Sequence, residues 1–245
     1  MTSSPRHLDT DGAITDHDKW TSGDFTLIST DNVRFCVPSY YLFAASPVFR
    51  DAADVSNGAA KTLHFTDKTF EEACTVADFL YLASTGKIPI DWKEMAGGDD
   101  AIGEHRYEAM LCQRLASLAL FLKKYECDMV LHILKLGFDN DYLKEGGFSM
   151  EGMVLGANLD DVDFCIKAMS TSDWTRDVVA DNTDVDPIIC KRRGSLELLP
   201  CNMAFKVVQL LPVEYHWALS RSWLGKKATW PDEFRKVLAL AKASG

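Results

Sequence analysis

Apolar and polar positions alternate clearly near the start of the chain. Phe25-Thr-Leu-Ile-Ser29 is rich in apolar and β-branched residues, Thr30-Asp31-Asn32 supplies turn chemistry, and Val33-Arg-Phe-Cys-Val37 places apolar residues at 33, 35 and 37. This pattern predicts a hairpin with one buried face. Pro38 ends it, because proline has no N–H to give a ladder. Residues 39–43 and 47–55 predict two short helices. Ser39 caps the first by accepting a backbone N–H, while Ser46 and Pro47 supply cap and first position of the second. Residues 61–65 alternate as a strand. Thr69-x-x-Glu72 has capping-box spacing and opens a helix through Phe70, Cys74, Phe79 and Leu82 to Gly86, with a short strand at 87–90.

Residues 91–104, with Gly97, Gly98 and Gly103, read as an exposed loop. Leu111, Leu115, Leu118, Leu122 and Tyr125 then recur at spacings of four and three, one apolar stripe of a long helix. Asp128 caps a following helix that carries Val130, Leu131 and Leu134. The expected architecture is α+β, a three-stranded sheet flanked by helices, followed by an all-α C-terminal region. Within that region, Leu155, Leu159 and Val162 echo Leu118, Leu122 and Tyr125 at an interval of 37 residues. Leu210-Leu211-Pro212-Val213 starts a helix through Tyr215, Trp217, Leu219 and Trp223. Pro231-Asp-Glu opens a last one, with acids in its first turn and Lys242 near its end, matching the helix dipole.

Composition narrows the class. The 245 residues are 47% apolar and 25% charged, which is ordinary for a globular chain. No stretch approaches the ~18 apolar residues of a membrane span, and residues 1–20 hold four aspartates and no apolar block, unlike a secretory signal. A flexible tail over 1–19 and a cytoplasmic or nuclear location are expected. Seven cysteines, an odd number without a CxxC pair, point to free thiols; Cys36, Cys74, Cys112, Cys127 and Cys165 sit in apolar segments and behave as small hydrophobes. Net charge is −10, distributed as −7 over 1–138, −9 over 139–186 and +6 over 187–245. The last two segments are either faces offered to partners or solvated surfaces that attract each other.

Candidate chemistry is sparse. Gly147-Phe-Ser149-Met-Glu151 lacks the final glycine of a nucleophile elbow, so Ser149 reads as a helix start. Cys127 and His132 have no second pair of ligands for zinc. The aspartates at 160, 161 and 163, and at 181, 184 and 186, do not follow the EF-hand order and read as turn or capping residues. Thr85-Gly86-Lys87 lacks the rest of a phosphate loop. Lys191-Arg192-Arg193 is too short to specify nucleic acid. No catalytic residue, metal or cofactor is expected. Tyr40, Tyr41 and Phe43, on an early helix, are either core or an interface.

Asp24-Phe-Thr-Leu-Ile, Val33-Arg-Phe-x-Val37, Leu42-x-Ala-Ala-Ser-Pro-Val-Phe-Arg50, Phe79-Leu80-Tyr81 with Thr85-Gly86, and Leu118-Ala119 with Lys124-Tyr125-x-Cys127 fall in order along 20–138. Together they resemble the BTB/POZ family, in particular fungal members with a helical region after that domain, here 139–245. The Leu-Pro-x-x-x-x-Trp-Ala-Leu phrase from Leu211 to Leu219 is similar to one in such relatives. The resemblance implies a non-enzymatic protein-binding scaffold or adaptor, often a homodimer whose first helices pack together. Tyr40, Tyr41, Phe43, Val48 and Phe49 would then form the dimer face, with Asp24 as the pocket acid. Some members recruit substrates to cullin-based ubiquitin ligases. Where cullin binders carry Met-Phe and a hydrophobic-x-Glu motif, this chain has Ala52-Ala53 and Asn57-Gly58-Ala59, which removes apolar contact at ~0.8 kcal/mol per CH₂. Another functional class is a transcription-associated regulator that uses the basic C-terminal segment.

Overall fold

The computed structural model describes residues 13–55, 61–89, 101–144, 149–171, 205–222 and 229–244. They form a mixed α+β structure with a four-stranded sheet in the order β1-β3-β2-β4. β2 (Phe25–Ile28) and β3 (Val33–Val37) are the expected hairpin, with Leu27 opposite Phe35 and Phe25 opposite Val37. Asn32 turns the chain at φ 61°, a left-handed conformation that its short polar side chain tolerates. Ser29 Oγ accepts the Val33 N–H at 3.0 Å and so closes the turn. β4 (Lys61–His64) runs parallel to β2.

The remaining strand takes residues 15–19 of the expected tail into the sheet and corrects the three-strand count. β1 (Thr15–Thr21) pairs in parallel with β3, with an irregularity between Asp16 and Thr21. Its residues are mostly exposed on both faces, so no alternation marks it in the sequence. Arg34 fixes it from β3 through two bonds to Asp16, at 2.5 and 2.8 Å. To reach β2, the chain crosses the end of β3 through Ser22-Gly23-Asp24. The expected strand at 87–90 is absent over 87–89; Gly86, at φ 67°, ends the preceding helix, and the Ile88 side chain lies against Gly137 instead of joining the sheet.

Helices α1 (Ser39–Ala45) and α2 (Pro47–Val55) follow the hairpin. Ser46 caps α2 by accepting the Phe49 N–H at 3.3 Å. α3 (Ala73–Thr85) begins three residues later than the capping-box spacing suggests, with Glu72 rather than Thr69 at the N-cap. The reason is local competition for donors: the Glu71 carboxylate accepts the N–H groups of Thr66 and Asp67, Asp67 accepts that of Thr69, and Asp31 from the β2–β3 turn accepts that of Ala73. Residues 66–72 therefore fold as a turn. α4 (Ala101–Lys124) starts inside the expected loop and ends one residue before Tyr125. Arg114 grips Asp78 of α3 with bonds of 2.6 and 3.0 Å.

α5 (Asp128–Phe138) continues into a π-helical turn at Asp139–Leu143, followed by α6 (Ser149–Leu159) and α7 (Val162–Thr171). The echo between the two helix pairs exists at a different interval. Glu126 and Asp160, both at left-handed φ, turn α4 into α5 and α6 into α7. Each is followed by an equivalent bond, Cys127 N–H to Leu122 O and Asp161 N–H to Gly156 O. The structural interval is thus 34 residues, not 37. α8 (Phe205–Val208), α9 (Val213–Ser222) and α10 (Trp230–Ser244) complete the described chain, with Asp232, Glu233 and Lys242 placed along α10 as the dipole argument requires.

Two cores share α4. Leu115, Leu118, Phe121 and Leu122 belong to the core that also holds Phe35, Phe49 and Phe79. Cys112 and Ala116 face away, toward Met153, Tyr215, Leu219 and Phe234. Leu155, Phe164 and Ala168 from α6 and α7 pack into the first core. Nearly every residue of α6 is buried, as expected for a helix enclosed on all sides. Close approach of α6 and α7 depends on Gly156, whose added Cβ would lie 2.7 Å from Cys165 Sγ.

Candidate protein-interaction surface

The resemblance motifs meet in space. Ser46 Oγ donates to the Tyr125 carbonyl, and Phe49 stacks on the Tyr125 ring with centroids 4.9 Å apart and planes 11° apart. Phe79 and Phe121 complete the aromatic cluster around Phe49. This corrects one assignment: Phe49 is fully buried and belongs to the core, not to a free face. Val48 is half-buried against the same core. Ala53 is buried in it as well, Ala52 is half-buried, and Asn57 and Ala59 lie outside the described residues.

What stays on the surface is the outer side of α1. Tyr40 is 61% exposed, and its ring lies 4.2 Å from that of Tyr41. Tyr41 and Phe43 are half-buried. Trp20 from β1 meets Tyr41 edge-on at 6.5 Å, extending the aromatic area onto the neighbouring strand. Phe43 is pinned by Phe25 at 6.2 Å and by the Lys61 ammonium 5.3 Å from its ring centroid. Trp20 was not foreseen as part of this surface, and its place in a polar stretch was the available signal.

Asp24 positions this helix. Its Oδ1 accepts the Ser39 N–H and its Oδ2 the Ser39 hydroxyl, both at 2.7 Å. The Ser39 bonds hold the Asp24 carboxyl below its ordinary pKa. Capping of α1 is therefore external: Ser39 is its first residue and donates its hydroxyl rather than accepting. Both oxygens of Asp24 are engaged with α1, so the expected pocket acid serves as an anchor.

One buried group could be mistaken for catalytic machinery. The Glu71 side chain is fully buried and accepts from Lys124 Nζ and Tyr125 Oη at 2.6 Å, in addition to its two backbone donors. Burial opposes its ionisation, but the Lys124 ammonium, the Tyr125 hydroxyl and the backbone N–H groups prevail and lower its pKa. Four donors on one carboxylate make a lock between the 66–71 turn and the end of α4. Glu71→Gln should lower stability by about 2 kcal/mol near neutral pH. Because the folded pKa is depressed, this contribution exists above the unfolded glutamate value and is lost as pH falls through the folded one. Urea midpoints of both proteins across that range test this, and a difference that does not shrink in acid would refute it.

Other sequence candidates resolve as structure. Ser149 is the buried first residue of α6. Cys127 is buried, and burial raises its thiol pKa to about 12; His132 is exposed. Cys74 is exposed and Cys36 half-buried, unlike the buried Cys112 and Cys165. Among the described residues, no group of three or more His, Cys, Asp or Glu side chains converges. Asp160 accepts from Tyr215 at 2.7 Å and pairs with Lys242, Asp161 pairs with Lys135 and caps α7 at Phe164, and Asp163 pairs with Arg235 at 2.8 Å. Asp160 and Asp163 of the acidic segment thus pair with Lys242 and Arg235 of the basic one. Lys191, Arg192 and Arg193, the aspartates at 181, 184 and 186, and Trp223 lie outside the described residues.

No protein family, curated protein or solved structure matches the chain. No helix of the described residues is long and apolar enough to cross a membrane.

Proposed function

We propose that this chain is a non-enzymatic protein-binding scaffold or adaptor of BTB/POZ type, self-associating through the α1 surface and acting in the cytosol or nucleus. The observation that carries the reading is the exposed Tyr40 ring, which adjoins Tyr41 on a helix anchored by Asp24 and, through Tyr41, Trp20 on the neighbouring β1. Aromatic residues in this partly wet position suit an interface, since they bring large area at low entropic cost. The meeting of the Ser46–Phe49 and Tyr125–Cys127 motifs supports the family resemblance.

Light scattering on the eluting full chain tests self-association, with a dimer mass expected at high micromolar concentration. Tyr40→Asp should weaken that dimer by about 2 kcal/mol, roughly thirty-fold, without changing the melting temperature of the protomer. Tyr40 is a cleaner probe than Phe43, whose contacts with Phe25 and Lys61 belong to the protomer itself. A strict monomer overturns the proposal. The narrower reading, an adaptor for a cullin-based ligase, rests on the resemblance alone. Failure to retain a recombinant cullin in a pull-down would remove it.

A further inference from the structure

β1 is an edge strand with three side-chain anchors: Asp16 on Arg34, His17 on Phe35, and Trp20 on Tyr41. The His17 ring stacks on Phe35 with centroids 4.6 Å apart and planes 28° apart. It covers a phenylalanine that has no exposed surface. His17 Nδ1 also accepts the Lys19 N–H at 3.1 Å, so one imidazole holds both the strand's packing and its local backbone geometry.

An imidazole in this arrangement must be neutral. A neutral ring has one acceptor nitrogen, whereas an imidazolium donates from both. We propose that protonation of His17 releases β1 from the sheet, making the outer strand a pH-dependent element of this fold. The added proton removes the acceptor of the Lys19 N–H, turns two donors against each other, and places charge on a ring pressed against Phe35. A cation above an aromatic face recovers some of this, but it cannot restore the hydrogen bond. The charged groups on the two strands are Asp16, Asp18 and Lys19 on β1 and Arg34 on β3, and the one further titratable group on β3 is Cys36, which pairs with Thr21. Asp16 is committed to Arg34, and its pKa is lowered by that bond, so it stays ionised through mild acid. Burial acts most strongly on His17, Lys19 adds to it, and Asp18 opposes. The net effect lowers the histidine pKa.

The direction of the effect follows. The folded strand favours the neutral ring, so docking is strongest above the ordinary histidine value of about 6.5 and weakens as pH falls toward the folded value. Release would uncover Phe35 and the outer edge of β3, and take Trp20 from Tyr41. The device does not depend on the self-association proposed above.

Hydrogen exchange of the full chain between about pH 8 and about pH 5, corrected for intrinsic rates, tests it. Protection over residues 15–21 should fall several-fold in acid while that of α4 holds, and His17→Gln should abolish the fall. Constant protection of β1, an equal fall in His17→Gln, or parallel loss in α4 would each overturn the proposal.

Discussion

Gly23→Ala should destabilise the protein by about 3 kcal/mol, although the position is exposed to solvent. An added Cβ would lie 2.0 Å from the Val37 carbonyl carbon, 2.2 Å from its oxygen and 2.6 Å from Pro38 N. All three are backbone atoms, which cannot swing aside as a side chain would. Gly23 is needed for this close approach, where the chain passes over the end of β3 between β1 and β2. To make room, either the crossing must lift or the β2–β3 hairpin must shift. Either movement disturbs the Asp24–Ser39 bonds one residue further on. Urea unfolding with an unchanged slope would report the loss. A difference below about 1 kcal/mol would show that the crossing relaxes freely.

The second large effect is expected at Phe49. Phe49→Ala removes a fully buried ring from contact with Tyr125, Phe79 and Phe121, and should lower stability by about 3–5 kcal/mol. The neighbouring Ser46 cap and the Ser46–Tyr125 bond hold α2 against the end of α4, so the cavity cannot close by a simple slide of the helix. This substitution also separates core from interface. The Phe49 variant should lose thermal stability and keep its protomer surface, whereas Tyr40→Asp should do the reverse. A Phe49→Ala protein that melts as the parent does would mean that the ring lies outside the core.

The hairpin was legible because one of its faces is buried and the other wet, which forces the alternation of Val33, Phe35 and Val37. β1 was not, because a strand exposed on both sides leaves no period to read. The stripe of α4 was visible, but its opposite face was not, since Cys112 and Ala116 are small and interrupt no pattern. On the short helices α1 and α2, spacing could not tell Phe49 from Tyr40, and only the arrival of Tyr125 from a distant segment decides it. Glu71 is illegible in the sequence for the same reason: its Lys124 and Tyr125 partners lie 53 and 54 residues away. The attraction between acidic and basic segments was readable as charge, whereas the partners Asp160–Lys242 and Asp163–Arg235 required the fold.

The double-faced α4 has a bearing on how this protein tolerates change. A helix wedged between two interiors transmits any adjustment on one side to the other, so paired substitutions such as Leu115 with Ala116 should not combine as independent errors. Variation that spares this axis can accumulate separately in the sheet and among the last helices. At α4 itself, neighbouring positions are constrained to alter together.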